Sequence, residues 1–352
     1  MTAILTFNQQ RLFEQARSLQ EKQDVIVVVK NNAYNFGMER AYRAFYKAGI
    51  RSYATTNLEE AVWLRKQDDQ TTVLLLDPST EFDILREHDI SLTLPNLAFY
   101  HQYKEHLEGI KIHLVFKNLL NRFGFDTADE MKTVFDEQLL TITGIWTHFA
   151  FADELLDNRY EIEKENWSNV LTVLEPYLDT LTFIHAQNSA SYLRDGLFDQ
   201  HTHIRAGVIA YGTRPYYDLP ESLAMQTIEV SATVKDVVSV PKGQSAGYSA
   251  AFVAAEDTTL AICDIGYGNG ILRTRSKHKV MINQKTFPIA VLMMSHLMVK
   301  VDTSVSIGDR VYLYNDTLRL DYFTHKGVGA FSEQMASLNH QTFKITNIPL
   351  SE

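Results

Sequence analysis

The spacing of hydrophobic positions changes character near residue 217. Before it, short apolar runs alternate with stretches of helical spacing; after it, apolar and polar residues mostly alternate in twos. The run Val25-Ile26-Val27-Val28-Val29 is continuous and β-branched, which predicts a strand buried on both faces. Further strands are expected at 52–56, 73–77, 91–94, 112–116, 144–149, 181–185 and 203–208. Helical spacing lies between most of them, as at 8–23, where Leu12, Phe13, Ala16 and Leu19 share a face, and at 37–48. Asn57 reads as an N-cap, with Glu60 completing a capping box.

Eight strand–helix repeats at intervals of roughly 20–40 residues predict a parallel sheet. They fit a closed (β/α)₈ TIM barrel, typically about 250 residues, over residues 1–217. An open doubly wound sheet would want a glycine-rich turn after its first strand, and Lys30-Asn31-Asn32-Ala33 stands there instead. From 218 to 352 the alternating runs 225–240, 260–263, 280–282, 290–293, 310–313 and 342–345, punctuated by Gly, Asp and Asn, predict an all-β domain.

Composition narrows the functional classes. A net charge of −10 with no compensating basic run argues against nucleic acid as partner. The single cysteine, Cys263, excludes an internal disulfide and a multi-cysteine metal site. The first residues lack a basic segment and long apolar core, and no apolar run has spanning length, so a cytoplasmic protein without membrane contact is expected. His201-Thr202-His203 resembles a metal pair. It falls at the N-terminal end of the eighth strand, where a structural role is expected.

In a (β/α)₈ barrel, chemistry collects at the C-terminal strand ends. There the sequence places Lys30, Arg122, His148, His185, Asn188, Ser189, Arg205 and Gly207. A lysine closing a buried strand is costly unless it pairs, reacts or reaches solvent. Ser189 and the backbone of Gly207-Val208 lie after the last two strands, a common phosphate site. Lysine and phosphate cradle together point to a phosphate-bearing aldehyde held as a Schiff base, of which pyridoxal phosphate is the example.

The ordered segments Val29-Lys30-Asn31-Asn32-Ala33-Tyr34, Thr147-His148-Phe149-Ala150, Asn188-Ser189, Arg205-Ala206-Gly207, Gly247-Tyr248, Ile265-Gly266-Tyr267-Gly268-Asn269-Gly270 and Met294 resemble the fold-type III, pyridoxal-phosphate-dependent alanine racemases along nearly the whole chain. The resemblance implies an isomerase interconverting L- and D-alanine, supplying D-alanine to the cell wall, and acting as a homodimer with shared sites. Lys30 would tether the cofactor and serve as one acid/base, with Tyr248 of the neighbouring subunit as the other. Tyr34, Ser189, Gly207 and Val208 would hold the phosphate, with Asn188 beside them. Arg205 would face the pyridine nitrogen, keeping it unprotonated and discouraging transamination. Arg122 would sit near the cofactor's phenolic oxygen and the substrate carboxylate. His148 would join Tyr248 and Arg205 in a network. Met294 would meet the substrate and Tyr267 would line its route. Positive neighbours such as Arg205 and His148 would stabilise an anionic second base.

Three positions depart from the family pattern. Val115 stands where a lysine, often carbamylated, is usual, so Arg122 lacks its customary anionic partner. Met294-Ser295 replaces a methionine–aspartate pair. The C-terminal phosphate-binding tyrosine has no counterpart. These departures keep open another amino-acid substrate, serine or a basic residue, or a non-catalytic cofactor-binding paralogue. A decarboxylase of the same fold type finds no cysteine placed as its acid.

Overall fold

The computed structural model describes residues 3–351. The chain divides into two compact units, one of residues 13–210 and one made from the first 12 residues together with 211 onward.

The first unit carries eight parallel strands: β2 (Val25–Val28), β3 (Ser52–Thr55), β4 (Thr72–Leu75), β5 (Ser91–Leu94), β6 (Lys111–Val115), β7 (Thr141–Trp146), β8 (Phe183–His185) and β9 (Ile204–Ala206). They pair in the order β8-β7-β6-β5-β4-β3-β2-β9. Backbone bonds from Thr202 N to Ile184 O (3.0 Å) and Arg205 N to Gln187 O (2.9 Å) join β9 to β8 and close the ring. All eight expected strands are present. All four residues of β2 are buried, as a strand with barrel interior on one side and helices on the other requires. Gly144 is required by close approach, since a Cβ there would lie 2.6 Å from His113 Nδ1.

Lys30 follows β2, two residues past its last strand residue, and opens an unusual turn. Asn31, Asn32, Ala33, Tyr34 and Asn35 all have φ between 52° and 63°. Asparagine tolerates this left-handed region, but Ala33 and Tyr34 each carry a cost of about 1–2 kcal/mol. The turn is clamped from outside: Asn32 N donates to Glu60 Oε1 at 2.6 Å and Met38 N to Asn32 Oδ1 at 2.9 Å. Glu60 therefore does not complete the expected capping box. Asn57 does cap its helix, accepting from Glu60 N at 3.0 Å. The Glu60 carboxylate is instead taken up by the left-handed turn and by Thr55 Oγ1.

The second unit is built on an antiparallel-rich sheet whose spine is β10 (Ile228–Val240). This strand pairs antiparallel with Arg310–Tyr314, with Thr258–Cys263 and with β1 (Ile4–Asn8). β1 also pairs in parallel with Lys344–Ile348, between which and β10 it lies. The expected split at 217/218 is thus corrected at both ends. The first strand belongs to the β unit, because it pairs there with β10 and with Lys344–Ile348. The β unit also begins earlier, at Tyr211. Cys263 is buried and unpaired by disulfide. No described helix is long and apolar enough to cross a membrane.

Inside this unit Asp321 is buried between two arginines. It accepts from Arg214 Nε (2.9 Å) and N (3.2 Å) and from Arg319 Nε (3.0 Å) and Nη2 (2.9 Å). Burial pushes its carboxyl upward, but bonds from Arg319 and Arg214 outweigh this and hold it well below the usual range. Its folded pKa being depressed, the stability it contributes is present above the unfolded value of about 3.9 and lost as pH falls through the folded one. Asp321→Ala strands two buried guanidiniums and should cost about 3–5 kcal/mol, measured by denaturant unfolding near pH 7. The gap between variant and parent should narrow once the pH drops below 4.

Candidate functional site

The C-terminal strand ends of the barrel bring Lys30, Tyr34, Arg122, His148, His185, Asn188, Ser189, Arg205, Gly207 and Val208 onto one rim, as the strand order requires. Lys30 is half-buried. Burial first, and then the positive field of Arg122, lower its pKa from the usual value; Asp77, just beyond β4, acts in the opposite sense. From sequence Asp77 reads only as the end of the strand expected at 73–77. It is the one carboxylate among the causes acting on this lysine.

Past the ends of β8 and β9 small and hydroxyl groups come together. Ser189 Oγ accepts from Gly207 N at 3.2 Å and from Ile209 N at 3.4 Å. A Cβ on Gly207 would stand 2.8 Å from Tyr34 Oη, so glycine lets the tyrosine hydroxyl and this backbone converge. Burial raises the Tyr34 phenol to about 12, which keeps it a proton donor. Asn188 caps the following helix, accepting from Ala190 N and Ser191 N, and donates to Phe149 O at 2.8 Å. Val208 opens a short 3₁₀ turn, Val208–Tyr211. These groups suit a phosphate: hydroxyls and backbone N–H groups in a space that a larger residue at 207 would fill.

Arg205 is buried, and it donates through Nη1 and Nη2. Nη1 donates to His185 O (2.6 Å) and His185 Nδ1 (2.8 Å); Nη2 donates to Thr147 O (2.6 Å), Ala186 O (3.0 Å) and His148 Nδ1 (3.3 Å). Its face lies over Trp146, 4.9 Å from the ring centroid. Burial, then Arg122, lower its pKa to about 9, which still leaves it charged at neutral pH. Because Arg205 donates to both histidines, each accepts at Nδ1 and carries its proton on Nε2. His185 Nε2 then donates to His113 Nδ1 at 3.1 Å. Sequence reasoning missed His113, a polar residue inside the apolar β6; that interruption was the available signal.

His148 differs from expectation. Burial, then Arg205, Arg122 and Lys30, pull its pKa to about 3. It is a neutral imidazole, and Arg205 alone of the expected pair brings positive charge. The family's lysine position, Val115, lies in an apolar cluster with Val28, Leu76 and Trp146, against which Tyr34 and Phe123 pack. Arg122 is exposed, its guanidinium 4.9 Å from the Phe123 ring centroid. The His201-Thr202-His203 segment is structural: Trp167 Nε1 donates to His201 Nε2 at 2.8 Å, and His203 Nδ1 meets Thr202 Oγ1 at 2.8 Å. No cluster of three potential metal ligands occurs among the described residues.

The remaining predicted residues, Tyr248, Tyr267 and Met294, lie in the β unit. Tyr267 and Met294 come together there. Tyr267 N donates to Met293 O (2.9 Å) and Gly268 N to Met294 O (2.8 Å). Gly266 makes this possible, since a Cβ would fall 2.4 Å from Met294 O. Tyr248 sits at a hairpin tip between Ser245–Ala246 and Phe252–Val253, and its side chain is 80% exposed in the single chain.

Residues 5–215 match the family model for the alanine racemase N-terminal domain, and residues 227–342 that for the C-terminal domain. Alanine racemase 2 of Staphylococcus aureus (strain Mu50) is 43% identical over 98% of each chain. An alanine racemase of Carboxydothermus hydrogenoformans is 30% identical, covering 86% of this chain and 85% of its own. Among solved structures, an alanine racemase from Bartonella henselae with covalently bound pyridoxal phosphate superposes with a TM-score of 0.88 at 22% identity, covering 99% of this chain and all of its own.

Proposed function

The chain belongs to the alanine racemase family, and from that premise we propose that it interconverts L- and D-alanine with pyridoxal phosphate through two acid/bases, Lys30 and Tyr248. The observation that carries the reading is the convergence, on one barrel rim, of a lysine with a lowered pKa, the hydroxyls and backbone around Ser189 and Gly207, and a buried arginine.

The residues fit the cofactor. Tyr34 Oη, Ser189 Oγ and the backbone at Gly207 and Val208 would hold its phosphate, Lys30 would tether it, and Arg205 would lie on the side of its pyridine nitrogen. When bound, pyridoxal phosphate supplies the electron-withdrawing ring that acidifies the amino acid's Cα–H. Inverting Cα requires that the proton leave one face and return to the other, so two groups must flank it. Lys30 Nζ serves one face; its lowered pKa leaves more free amine near neutrality than an ordinary lysine would offer. Tyr248 Oη serves the other. A tyrosine this exposed in one chain is ill placed for proton transfer unless something covers it. In the proposed enzyme it enters the barrel site of a second copy, making a homodimer with shared sites. Arg205 contributes by having nothing but donors: facing a ring nitrogen, it favours the unprotonated state. Arg122 and the Met294 segment receive the substrate carboxylate, and Tyr267 lines its path. The enzyme works in the cytoplasm, where its D-alanine feeds cell-wall synthesis.

The direct test is NMR of solvent deuterium incorporation at Cα of L-alanine, with chiral analysis of the same sample. Deuterium should enter both enantiomers as the pool racemises. Exchange confined to L-alanine, without racemisation, would leave one working base and refute the two-base assignment.

A further inference from the structure

Two rim loops carry His148 and Arg122, and one buried carboxylate stands where their supports meet. Glu163 lies in the helix Arg159–Val173 and is fully buried. Ala150 N donates to Glu163 Oε1 (2.8 Å) and Oε2 (2.9 Å), and Phe151 N donates to Oε2 (3.1 Å). These are the first residues after His148 and Phe149. Among the described residues this carboxylate is met by backbone N–H groups, not by a lysine, arginine or histidine. Burial raises its pKa while the bonds from Ala150 and Phe151 oppose that.

The same helix turn also reaches the other loop. Asn118, buried four residues before Arg122, donates from Nδ2 to Glu163 O at 2.9 Å and accepts from Asn166 Nδ2 at 3.2 Å. Thr147 Oγ1 donates to Phe116 O at 2.8 Å, tying the loops to each other. Thr147 O in turn accepts from Arg205 Nη2 at 2.6 Å. A shift of the 147–151 backbone would therefore move an acceptor of Arg205 together with His148.

From this geometry we infer that Glu163 is a positioning residue for the reaction: its carboxylate fixes the loop 147–151 and, through it, His148 and the Arg205 guanidinium. It acts as a doubly accepting oxygen at a set reach, not as a charge. The functional part of this inference rests on the racemase reading above; the structural part stands without it. Misplacement of catalytic groups by about 1 Å can cost 10²-fold in rate.

Two conservative variants separate reach from charge. Glu163→Gln keeps the reach and, at the Oε2 position, one oxygen that accepts from both N–H groups once its NH2 turns away from Ala150 N; it loses the charge. Glu163→Asp keeps the charge and withdraws the oxygens by one methylene. In the holoenzyme, Glu163→Gln should hold kcat within about twofold of the parent, and Glu163→Asp should lose about tenfold or more in kcat with KM less affected. In the same proteins without substrate, amide hydrogen exchange at Ala150 and Phe151 should accelerate about tenfold or more in the Asp variant and stay at the parent rate in the Gln variant. Val170→Ala, a cavity variant on the same helix, should lower Tm and leave kcat and exchange at 150–151 unchanged. Any other ordering of the Asp and Gln variants overturns the inference, whichever readout shows it. If the parent fails to racemise alanine, the functional reading falls, and the exchange rates still decide whether Glu163 holds the loop.

Discussion

Lys30→Ala is expected to eliminate alanine racemisation, by about 10⁴-fold or more, and to remove the visible absorbance of tightly bound cofactor. A positioned acid/base contributes about 10²–10⁴-fold by itself. Lys30 is also the amine proposed to carry the cofactor, while Lys117, just past β6, is paired with Asp126, so the loss of Lys30 takes the covalent attachment as well. Folding should survive. Lys30 is half-buried at a strand end, and the turn it opens is held by Glu60 and by Val29 O, which accepts from Ala33 N at 2.8 Å. Circular dichroism should match the parent, and chiral chromatography after long incubation should find only the starting enantiomer. Lys30→Arg is the informative companion. It restores a cation at nearly the same place but not a deprotonatable amine, since arginine stays charged. A Lys30→Arg protein racemising within tenfold of the parent would mean that Lys30 acts as a charge and that the base lies elsewhere.

The barrel was legible because β strands with both faces covered must be apolar throughout. β2 and β4 announce themselves, and the strand ends then point to Lys30, Arg205 and Gly207 without further help. The N-terminal strand was equally visible in its alternation, Leu5 and Phe7 inward with Thr6 and Asn8 outward. It was not recognised because its partners, β10 and Lys344–Ile348, lie more than 200 residues away in sequence. Long-range pairing leaves no local trace. The site shows the same division. Residue type and strand position identify which groups reach the rim, but protonation state depends on what surrounds them. His148 reads from sequence as a positive neighbour and is neutral in the fold, because Arg205 occupies its Nδ1 and burial penalises its charge. Asp77 and Glu163 were invisible for a similar reason. Charged residues usually face solvent, and only the fold shows that one acts on Lys30 and the other is fully buried against a backbone. Val115 was seen as a departure. The structure adds that its surroundings are apolar as well, with Val28, Leu76 and Trp146 in the same cluster, so the substitution is accommodated by the barrel interior around it.

Tyr248→Phe should be nearly as damaging as the lysine change, and it supports a test of where the second base acts. The variant loses only a hydroxyl from a side chain that is 80% exposed in the single chain, so stability should be unaffected. Racemisation should fall by about 10²–10⁴-fold, the range for one positioned acid/base. Exchange of the Cα proton with solvent should persist from the one enantiomer whose proton Lys30 faces, because that half-reaction needs no second base. Suppose next that Lys30→Ala and Tyr248→Phe proteins, each inactive, are mixed under conditions that let subunits exchange. If Tyr248 serves its own chain's Lys30, every site in the mixture lacks one base and no activity returns. If it serves a partner's site, each mixed dimer contains one site with both bases intact and one with neither. Half of the dimers at equal mixing are mixed, so about a quarter of parental activity should appear, rising on the timescale of subunit exchange. An activity that stays at the level of the separate variants, with mixed dimers shown to be present, would place both bases on one chain. The same experiment also bears on the exposed hairpin. A two-residue β pairing that presents an uncovered tyrosine has little reason to hold its shape alone, and a partner's barrel rim would supply the cover that gives Tyr248 Oη a fixed distance from Cα.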